Sequence, residues 1–413
     1  MSYSTALSIY LALIVCVSAG KIKSFDYGNV KPLRLRHVLP EVNMNVSQMI
    51  QYNGYPVENH DVITKDGYIL SIQRIPYGRH GRCKDVDSKP VIFLQHGLLC
   101  SSTNWVANLP DESFAFIAAD SCFDVWLGNV RGNTYGKRHV KYPIHSDEFW
   151  DFSFDEMAKY DLPAMINYTL KTTGHETLYY AGHSQGTMIG FIEFSRNPDL
   201  IKKVKTFYAL APVSTVTYMG GAFKWLSYFT PEFEEFFKIF GIRDFFPSNE
   251  ILRILSELIC GHKVVRDVCS DILFLIAGVD TKQLNETRMP IYISHTPAGT
   301  SVKNMVHFAQ LHKSKKFQMY DYGSVQKNKL HYGQGSPPEY NVSAVDVPSA
   351  LYWGGKDVLA DPRDVKSLMT KLPNQLYNKY LPPWNHLDFI WALDSGNLVY
   401  RDVIMHIKSQ EKK

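Results

Sequence analysis

Gly182-His183-Ser184-Gln185-Gly186 stands between the apolar run Leu178-Tyr179-Tyr180-Ala181 and a predicted helix that begins near Thr187. In this pattern a strand turns sharply into a helix, and the serine projects from the turn. The flanking glycines leave space for the backbone where a Cβ atom would block it. Ser184 is therefore a candidate nucleophile. A chain of this length shows the pattern by chance on the order of one time in ten, so the surrounding sequence has to support it.

Uninterrupted apolar segments of strand length lie on both sides of this motif. Continuous apolarity predicts strands that are covered on both faces, as in a parallel sheet between layers of helices. Residues 61–75, with the turn pair Asp66-Gly67, predict an antiparallel hairpin at the edge of that sheet. The predicted strands are residues 91–94, 125–127, 178–181, 207–210, 350–353 and 375–380.

Helical signals alternate with these strands. Ser153-Phe154-Asp155-Glu156 has the capping-box pattern and predicts a helix that runs toward Thr169, with Pro163 as a kink. The spacing of apolar residues from Leu398 to Ile407 predicts a last helix that packs on the sheet. This alternation predicts a doubly wound α/β fold, in which helices flank a mostly parallel central sheet.

Residues 213–337 break the alternation. They are rich in aromatic side chains and contain amphipathic helix patterns. An insertion after the strand at 207–210 would lie over Ser184, so we expect a helical cap at 213–337 between two parts of the core, 20–212 and 338–413. The alternative is an ordinary helical subdomain whose aromatic residues form its own core.

The N-terminal residues predict entry into the secretory pathway. Apolar residues 6–17 precede Ser18-Ala19-Gly20, which is typical of a signal peptide at 1–19, although no lysine or arginine comes before the apolar stretch. The stretch is too short for a transmembrane helix, which needs about 18 apolar residues. Four N-x-S/T glycosylation sequons fit the same route. They begin at Asn45, Asn167, Asn285 and Asn341.

Charge and cysteine usage narrow the classes of function. The formal net charge is +4 and the densest basic cluster is short, residues 313–316, so no nucleic-acid partner is predicted. No C-x-x-C or H-E-x-x-H motif occurs, and no metal site is predicted. Without the signal five cysteines remain, an odd number that requires a free thiol or a bond between chains. We expect a disulfide between Cys260 and Cys269, which close a short loop in an oxidising compartment.

A serine nucleophile needs a base that takes its proton and a carboxylate that orients the base. In a strand-turn-helix arrangement of this kind, the carboxylate and then the histidine follow the serine in sequence. Asp357 comes just after an apolar strand, and His386 lies in a loop before the last helix. Other histidines also lie downstream, and the rival carboxylates are Asp361, Asp364 and Asp388. Asp361 precedes a proline, a pattern that predicts a helix cap.

Acyl transfer to a serine also needs hydrogen-bond donors for the oxyanion that forms during the reaction. The N–H of Gln185, directly after the nucleophile, is one candidate, and the N–H of Leu98, in the loop after the strand at 91–94, is the other. Gly97 permits the tight turn that this loop requires. His96 and His183 are expected to be structural residues with satisfied rings at the edge of the sheet.

With these residues in place, the chain resembles the acid lipase family, which includes gastric lipase and lysosomal acid lipase, from about Glu58 to its end. The matching segments include Gln95-His96-Gly97-Leu98-Leu99, Asp124-Val125-Trp126-Leu127-Gly128-Asn129, Gly182-His183-Ser184-Gln185-Gly186, Pro297-Ala298-Gly299-Thr300-Ser301 and Asn385-His386-Leu387-Asp388-Phe389. The resemblance implies an α/β-hydrolase fold with a helical cap and a lid at 248–277. It also implies a Cys260–Cys269 disulfide, the triad Ser184, Asp357 and His386, and oxyanion donors at Leu98 and Gln185.

The expected activity is that of a secreted or lysosomal serine lipase. It would hydrolyse carboxylic esters of long-chain fatty acids, such as triacylglycerol or sterol esters, at the surface of a droplet or micelle and without a cofactor. Two alternatives use the same fold. One is a serine peptidase, and the other is a catalytically silent protein that binds or stores lipid.

Overall fold

A computed structural model of the chain describes residues 39–85, 87–221, 243–245 and 283–412. The predicted signal peptide at 1–19, the predicted lid at 248–277 and the Cys260–Cys269 pair lie outside the described residues, as does most of the aromatic stretch of the predicted cap. Within the described ranges, no helix has the length and apolarity needed to cross a membrane.

A twisted sheet forms the centre of the molecule. Its strand order is β1-β2-β4-β3-β6-β7-β10-β11, and a short β5 pairs with β2. Neighbours from β4 to β11 along this order run parallel, whereas β1 and β2 form an antiparallel hairpin and β2 pairs antiparallel with β4. A separate antiparallel pair consists of β8 and β9. The strands are β1 (Glu58–Ile63), β2 (Tyr68–Ile75), β3 (Val91–Gln95), β4 (Asp124–Leu127), β5 (Arg138–His139), β6 (Leu178–His183), β7 (Val204–Leu210), β8 (Asp244–Phe245), β9 (Thr300–Ser301), β10 (Ser349–Gly354) and β11 (Gln375–Leu381).

All six predicted strands and the hairpin are present. Every residue of β3, β6 and β10 is buried, as expected for strands covered on both faces. The strands are longer than predicted because polar or glycine residues continue them, as Gly182 and His183 do at the end of β6. At the edge of the sheet, every residue of β11 except the last, Leu381, is exposed or partly buried.

Helices fill the connections between the strands. The α-helices are α1 (Val46–Tyr52), α2 (Phe114–Asp120), α3 (Asp147–Trp150), α4 (Phe154–Glu156), α5 (Leu162–Thr173), α6 (Gln185–Phe194), α7 (Pro198–Ile201), α8 (Met289–His295), α9 (Val302–Ser314), α10 (Val325–Tyr332), α11 (Pro362–Met369), α12 (Asp388–Trp391) and α13 (Arg401–Glu411). Three of them, α8 to α10, belong to the predicted cap, whose extent as a domain remains a prediction.

Two π-helical turns modify the predicted helices. The capping box at Ser153 is present, but a π-turn at Met157–Asp161 separates α4 from α5. Leu162 separates this wider turn from Pro163, which has no N–H to donate to a regular helical bond. A second π-turn, Gly396–Tyr400, precedes α13 and leaves the Leu398 side chain 38% exposed. The predicted last helix is present, with Ile407 buried, but its α-helical part begins at Arg401 and Leu398 does not share its buried face.

His307 of α9, a residue of the predicted cap, contacts the capping box at Ser153. Its ring is fully buried and stacks on Phe154, with the two centroids 3.8 Å apart. Nε2–H donates to the Gln318 carbonyl (3.0 Å), so Nδ1 is left to accept from the Ser153 hydroxyl (3.1 Å). Burial lowers the pKa of His307 to about 3. The ring is consequently neutral over the whole range in which an exposed histidine titrates.

This neutral ring predicts a loss of stability in acid. Below pH 6.5 the unfolded chain protonates His307 but the folded chain does not, so the free energy of unfolding falls by about 2 kcal/mol between pH 7 and pH 5. His307→Gln keeps a donor and an acceptor but cannot titrate. Urea unfolding at pH 7 and pH 5 measures the change in the free energy of unfolding between the two pH values. This change should be about 2 kcal/mol smaller in His307→Gln than in the wild type. Identical pH dependence in the two proteins would contradict the assignment.

A disulfide that the sequence analysis did not predict joins Cys83 to Cys122. It ties the segment after β2 to the turn between α2 and β4. Among the described residues Cys100 is a free, buried cysteine. The odd cysteine count is thus met by Cys100 if Cys260 and Cys269 also pair.

Replacing both Cys83 and Cys122 by serine should lower the free energy of unfolding by about 4 kcal/mol, because the bond closes a loop of 39 residues in the unfolded chain. Urea unfolding without reductant measures this change. A reductant should destabilise the wild type by a similar amount. Any response that remains in the double variant belongs to another disulfide, such as the predicted Cys260–Cys269 bond, and a double variant as stable as the wild type would refute the prediction.

Candidate active site

Ser184 lies at the carboxyl edge of the sheet, on the turn between β6 and α6. Its backbone has φ 53° and ψ −120°, a conformation that L-residues rarely adopt. The predicted need for flanking glycines is confirmed. A Cβ on Gly182 would lie 2.7 Å from the backbone of Gly186, and one on Gly186 would lie 2.4 Å from the Gln95 carbonyl oxygen. Gly182 is therefore packed too closely against the start of α6, and Gly186 too closely against β3, for any other residue at these two positions.

The structure brings Ser184, His386 and Asp357 together. His386 Nδ1 lies 2.9 and 3.1 Å from the two carboxylate oxygens of Asp357. A carboxylate only accepts, so Nδ1 carries the proton, and Nε2 is free to accept from the Ser184 hydroxyl at 2.7 Å. Asp357 Oδ1 also accepts from the N–H groups of Leu359 and Ala360, at 2.9 and 2.8 Å. Both His386 and Asp357 are buried, so these contacts are shielded from water.

The rival carboxylates have other partners. Asp361 caps α11, as predicted, by accepting from the Arg363 N–H. Asp364 accepts from the Thr215 hydroxyl (2.8 Å) and the Tyr218 N–H (2.9 Å), so it anchors the segment that follows β7. Neither of them contacts the ring of His386 within the described hydrogen bonds.

Asp388 shapes the loop that carries His386. Its Oδ2 accepts from the N–H of Asn385 (2.6 Å), and Asn385 Oδ1 accepts from the N–H groups of Leu387 (2.9 Å) and Asp388 (3.3 Å). These bonds close a tight turn around His386. The sequence identified Asp388 only as a rival for the triad, whereas it holds the turn.

The loop after β3 passes directly against Ser184. A Cβ added to Gly97 would lie 3.0 Å from Ser184 Cβ, so a glycine keeps this approach free of strain. Leu98 follows at once, and Gln185 is the first residue of α6. In the described part of the chain, neither the Leu98 N–H nor the Gln185 N–H donates to a protein acceptor. Both predicted oxyanion donors therefore lack a described protein acceptor, as a donor reserved for a substrate would.

His96 fixes this loop, and its predicted structural role is confirmed. Nδ1–H donates to the Gly97 carbonyl (2.8 Å), and Nε2 accepts from Asn133 Nδ2 (3.0 Å) and the Val130 N–H (3.3 Å). Burial lowers the pKa of His96 to about 4, so the ring keeps this neutral tautomer. His183 differs, because its buried Nδ1 has no partner among the described residues, and the prediction of a satisfied ring is wrong there.

A buried amide network behind the loop was missed by the sequence analysis. Asn129 accepts from the Ser102 N–H (2.9 Å) and from Asn133 Nδ2 (2.9 Å), and its own Nδ2 donates to Gln73 Oε1 (3.1 Å). These bonds join the residues after β3 and β4 to β2. The available signal was the set of polar residues directly after β4, at the sheet edge where Ser184 lies.

The side chain of Gln185 is held by a residue of the predicted cap and by Met157. Asn304 of α9 donates from Nδ2 to Gln185 Oε1 (2.9 Å), and Gln185 Nε2 donates to the sulfur of Met157 (3.4 Å). Asn304 is fully buried. A residue of the predicted cap thus orders the first turn of α6, a contact with no signature in the sequence.

The remaining predicted sites lie at the surface or outside the described residues. Three sequon asparagines are exposed, and the fourth, Asn285, is partly buried. The exposed ones are Asn45, Asn167 and Asn341. Among the described residues no cluster of three or more His, Cys, Asp or Glu side chains has the arrangement of a metal site.

A parallel sheet with a serine on a strand-turn-helix, followed in sequence by a carboxylate and a histidine, defines an α/β hydrolase. Residues 90–393 match the family model described as alpha/beta hydrolase fold, and residues 46–109 match a partial alpha/beta-hydrolase lipase region.

Proteins of known class are similar over most of the chain. Human gastric triacylglycerol lipase is 54% identical over 91% of this chain and 93% of its own length. Human lysosomal acid lipase/cholesteryl ester hydrolase is 46% identical over 96% of this chain and 97% of its own. Human lipase member K is 48% identical over 89% of this chain and 91% of its own length. The chain belongs to the acid lipase family.

Proposed function

We propose that this protein is a serine lipase of the secretory pathway that hydrolyses carboxylic esters of long-chain fatty acids through an acyl-enzyme. The observation that carries the proposal is the 2.7 Å contact between Ser184 Oγ and His386 Nε2, with Asp357 behind the ring. Relatives named as triacylglycerol lipase and cholesteryl ester hydrolase support lipid esters as the substrate class.

In the proposed mechanism Ser184 attacks the ester carbonyl while His386 Nε2 takes its proton. Asp357 holds the ring in the tautomer that can accept this proton and stabilises the resulting imidazolium. The Leu98 and Gln185 N–H groups bind the oxyanion of the tetrahedral intermediate. His386 then protonates the leaving alcohol, and water repeats the sequence on the acyl-enzyme. No step requires a cofactor.

The finer assignments belong to the same proposal. Residues 213–337 form a cap with a lid at 248–277 that opens at the surface of a lipid droplet or micelle, and Cys260 and Cys269 form a disulfide within the lid. A signal peptide at 1–19 directs the chain to secretion or to the lysosomal lumen, the two destinations that the names of gastric and lysosomal relatives suggest. Asn45, Asn167, Asn285 and Asn341 are its glycosylation sites.

Release of fatty acid from triolein and from cholesteryl oleate emulsions, across a range of pH, tests the activity. We expect hydrolysis of at least one of them, with a sharp rise when a soluble short-chain glyceride passes its solubility limit and forms droplets. Labelling of the wild type by a fluorophosphonate separates an esterase from a silent lipid-binding protein. Absence of both labelling and turnover would refute the proposal, and a rate that does not respond to droplet formation would refute the lid.

A further inference from the structure

His183, the residue directly before Ser184, contacts the backbone of the residue proposed as the base. Its Nε2 lies 3.0 Å from the carbonyl oxygen of His386, 203 positions further along the chain. A carbonyl only accepts, so Nε2 carries the proton and donates it. The two rings lie 4.9 Å apart, and the backbone of His183 is held in the sheet by pairing with Leu210 of β7.

The ring of His183 is buried with one of its two nitrogens unpaired among the described residues. The ring is 2% exposed, and its Nδ1 has no hydrogen-bond partner in the described part of the chain. Burying an unpaired polar atom is unfavourable, so the bond from Nε2 to the His386 carbonyl is the favourable polar contact of this ring. Burial, and then the neighbouring His386, lower the pKa of His183 well below its ordinary value, so the ring keeps its single proton at Nε2.

Other hydrogen bonds described for the His386 loop join it to itself and to the segment after β10. The bond from the Asn385 N–H to Asp388 and the bond from the Leu387 N–H to Asn385 lie within the loop, and the Lys356 N–H donates to the Trp384 carbonyl (2.9 Å) from the segment after β10. Among the described residues, the bond from His183 is the one hydrogen bond between β6 and this loop. Strand β6 ends at His183, so its next residue is the nucleophile itself.

We propose that His183 is a positioning residue: its Nε2–H fixes the carbonyl of His386 against the end of β6 and thereby sets the separation between Ser184 Oγ and His386 Nε2. This inference rests on the proposed function. One backbone step connects His183 to Ser184, and one residue connects the His386 carbonyl to its ring. A displacement of about 1 Å in such a pair costs on the order of 100-fold in rate.

Two amide variants test the bond itself. His183→Gln places an amide N–H where Nε2 lies, whereas His183→Asn has the same chemistry but is one bond too short. With a soluble p-nitrophenyl ester, we expect kcat of His183→Asn to fall by roughly 100-fold, while its KM stays within about twofold of the wild type. The kcat of His183→Gln should be at least about tenfold higher than that of His183→Asn. The low-field ¹H NMR signal of the His386 Nδ1 proton should persist in the glutamine variant and shift or broaden in the asparagine variant.

His307 provides the matched control. It is also buried and its Nε2 also donates to a carbonyl at 3.0 Å, but it lies on α9 and its acceptor is Gln318, not His386. His307→Asn should leave kcat within about threefold of the wild type. Equal kcat in the two His183 variants, or wild-type kcat in His183→Asn, would overturn the positioning role. If an amide variant does not fold, His183→Leu tests the positioning role instead, because its side chain is apolar. Wild-type activity in folded His183→Leu would also overturn the positioning role. Wild-type protein without ester turnover would instead refute the proposed function.

Discussion

Ser184→Ala protein should fold normally and hydrolyse esters about 10⁴- to 10⁶-fold more slowly than the wild type, because removal of a triad serine leaves only binding and oxyanion stabilisation. The backbone at Ser184 keeps its positive φ of 53° with alanine, so the substitution does not relieve the strained turn. The side chain donates one hydrogen bond, to His386, and its loss should change the melting temperature by only a few degrees. Initial rates on a soluble ester and thermal unfolding measure the two quantities.

Ser195→Ala is the matched control. Ser195 ends the same helix, α6, and its hydroxyl donates to the Ile192 carbonyl (2.7 Å) away from the site. Its rate should stay within about twofold of the wild type. Turnover by purified Ser184→Ala above about 1% of the wild-type rate would exclude Ser184 as the nucleophile, and fluorophosphonate labelling should disappear in this variant alone.

The main elements of the fold follow from local sequence patterns. Continuous apolar runs such as 178–181 mark strands covered on both faces, and this property does not depend on which strands become neighbours. The π-turn at Met157–Asp161 was not predictable from the capping box, because it depends on where the helix must continue beyond Pro163. The Cys83–Cys122 bond was also missed, since 39 positions of separation carry no information about spatial contact.

The sequence predicted those site residues that lie in a recognisable local sequence pattern. Ser184 has its glycine-flanked turn, Asp357 follows a buried strand, and His386 lies in a loop of the expected order. The roles of His183 and Asn304 arise from contacts across the fold, to the His386 carbonyl and to the Gln185 side chain. Such contacts leave no pattern in nearby residues, so the structure was needed to find them.

Asp357→Asn should lower kcat by about 10⁴-fold because it forces the wrong tautomer on His386. The N–H groups of Leu359 and Ala360 both point at Oδ1, so the amide oxygen of asparagine must take that place and its NH₂ must take the place of Oδ2, the atom nearest to His386 Nδ1. Nδ1 then accepts, the ring proton moves to Nε2, and Nε2 can no longer accept from the Ser184 hydroxyl.

Asp388→Asn tests whether this loss is specific to the carboxylate behind the ring. Its amide oxygen can still accept from the Asn385 N–H, so the turn around His386 should persist and kcat should stay within about tenfold of the wild type. Steady-state kinetics on the two variants, with melting temperatures to confirm folding, separates the two carboxylates. If Asp388→Asn showed the larger loss, the orienting role would pass to Asp388, and the bonds from Leu359 and Ala360 to Asp357 would only stabilise the loop after β10.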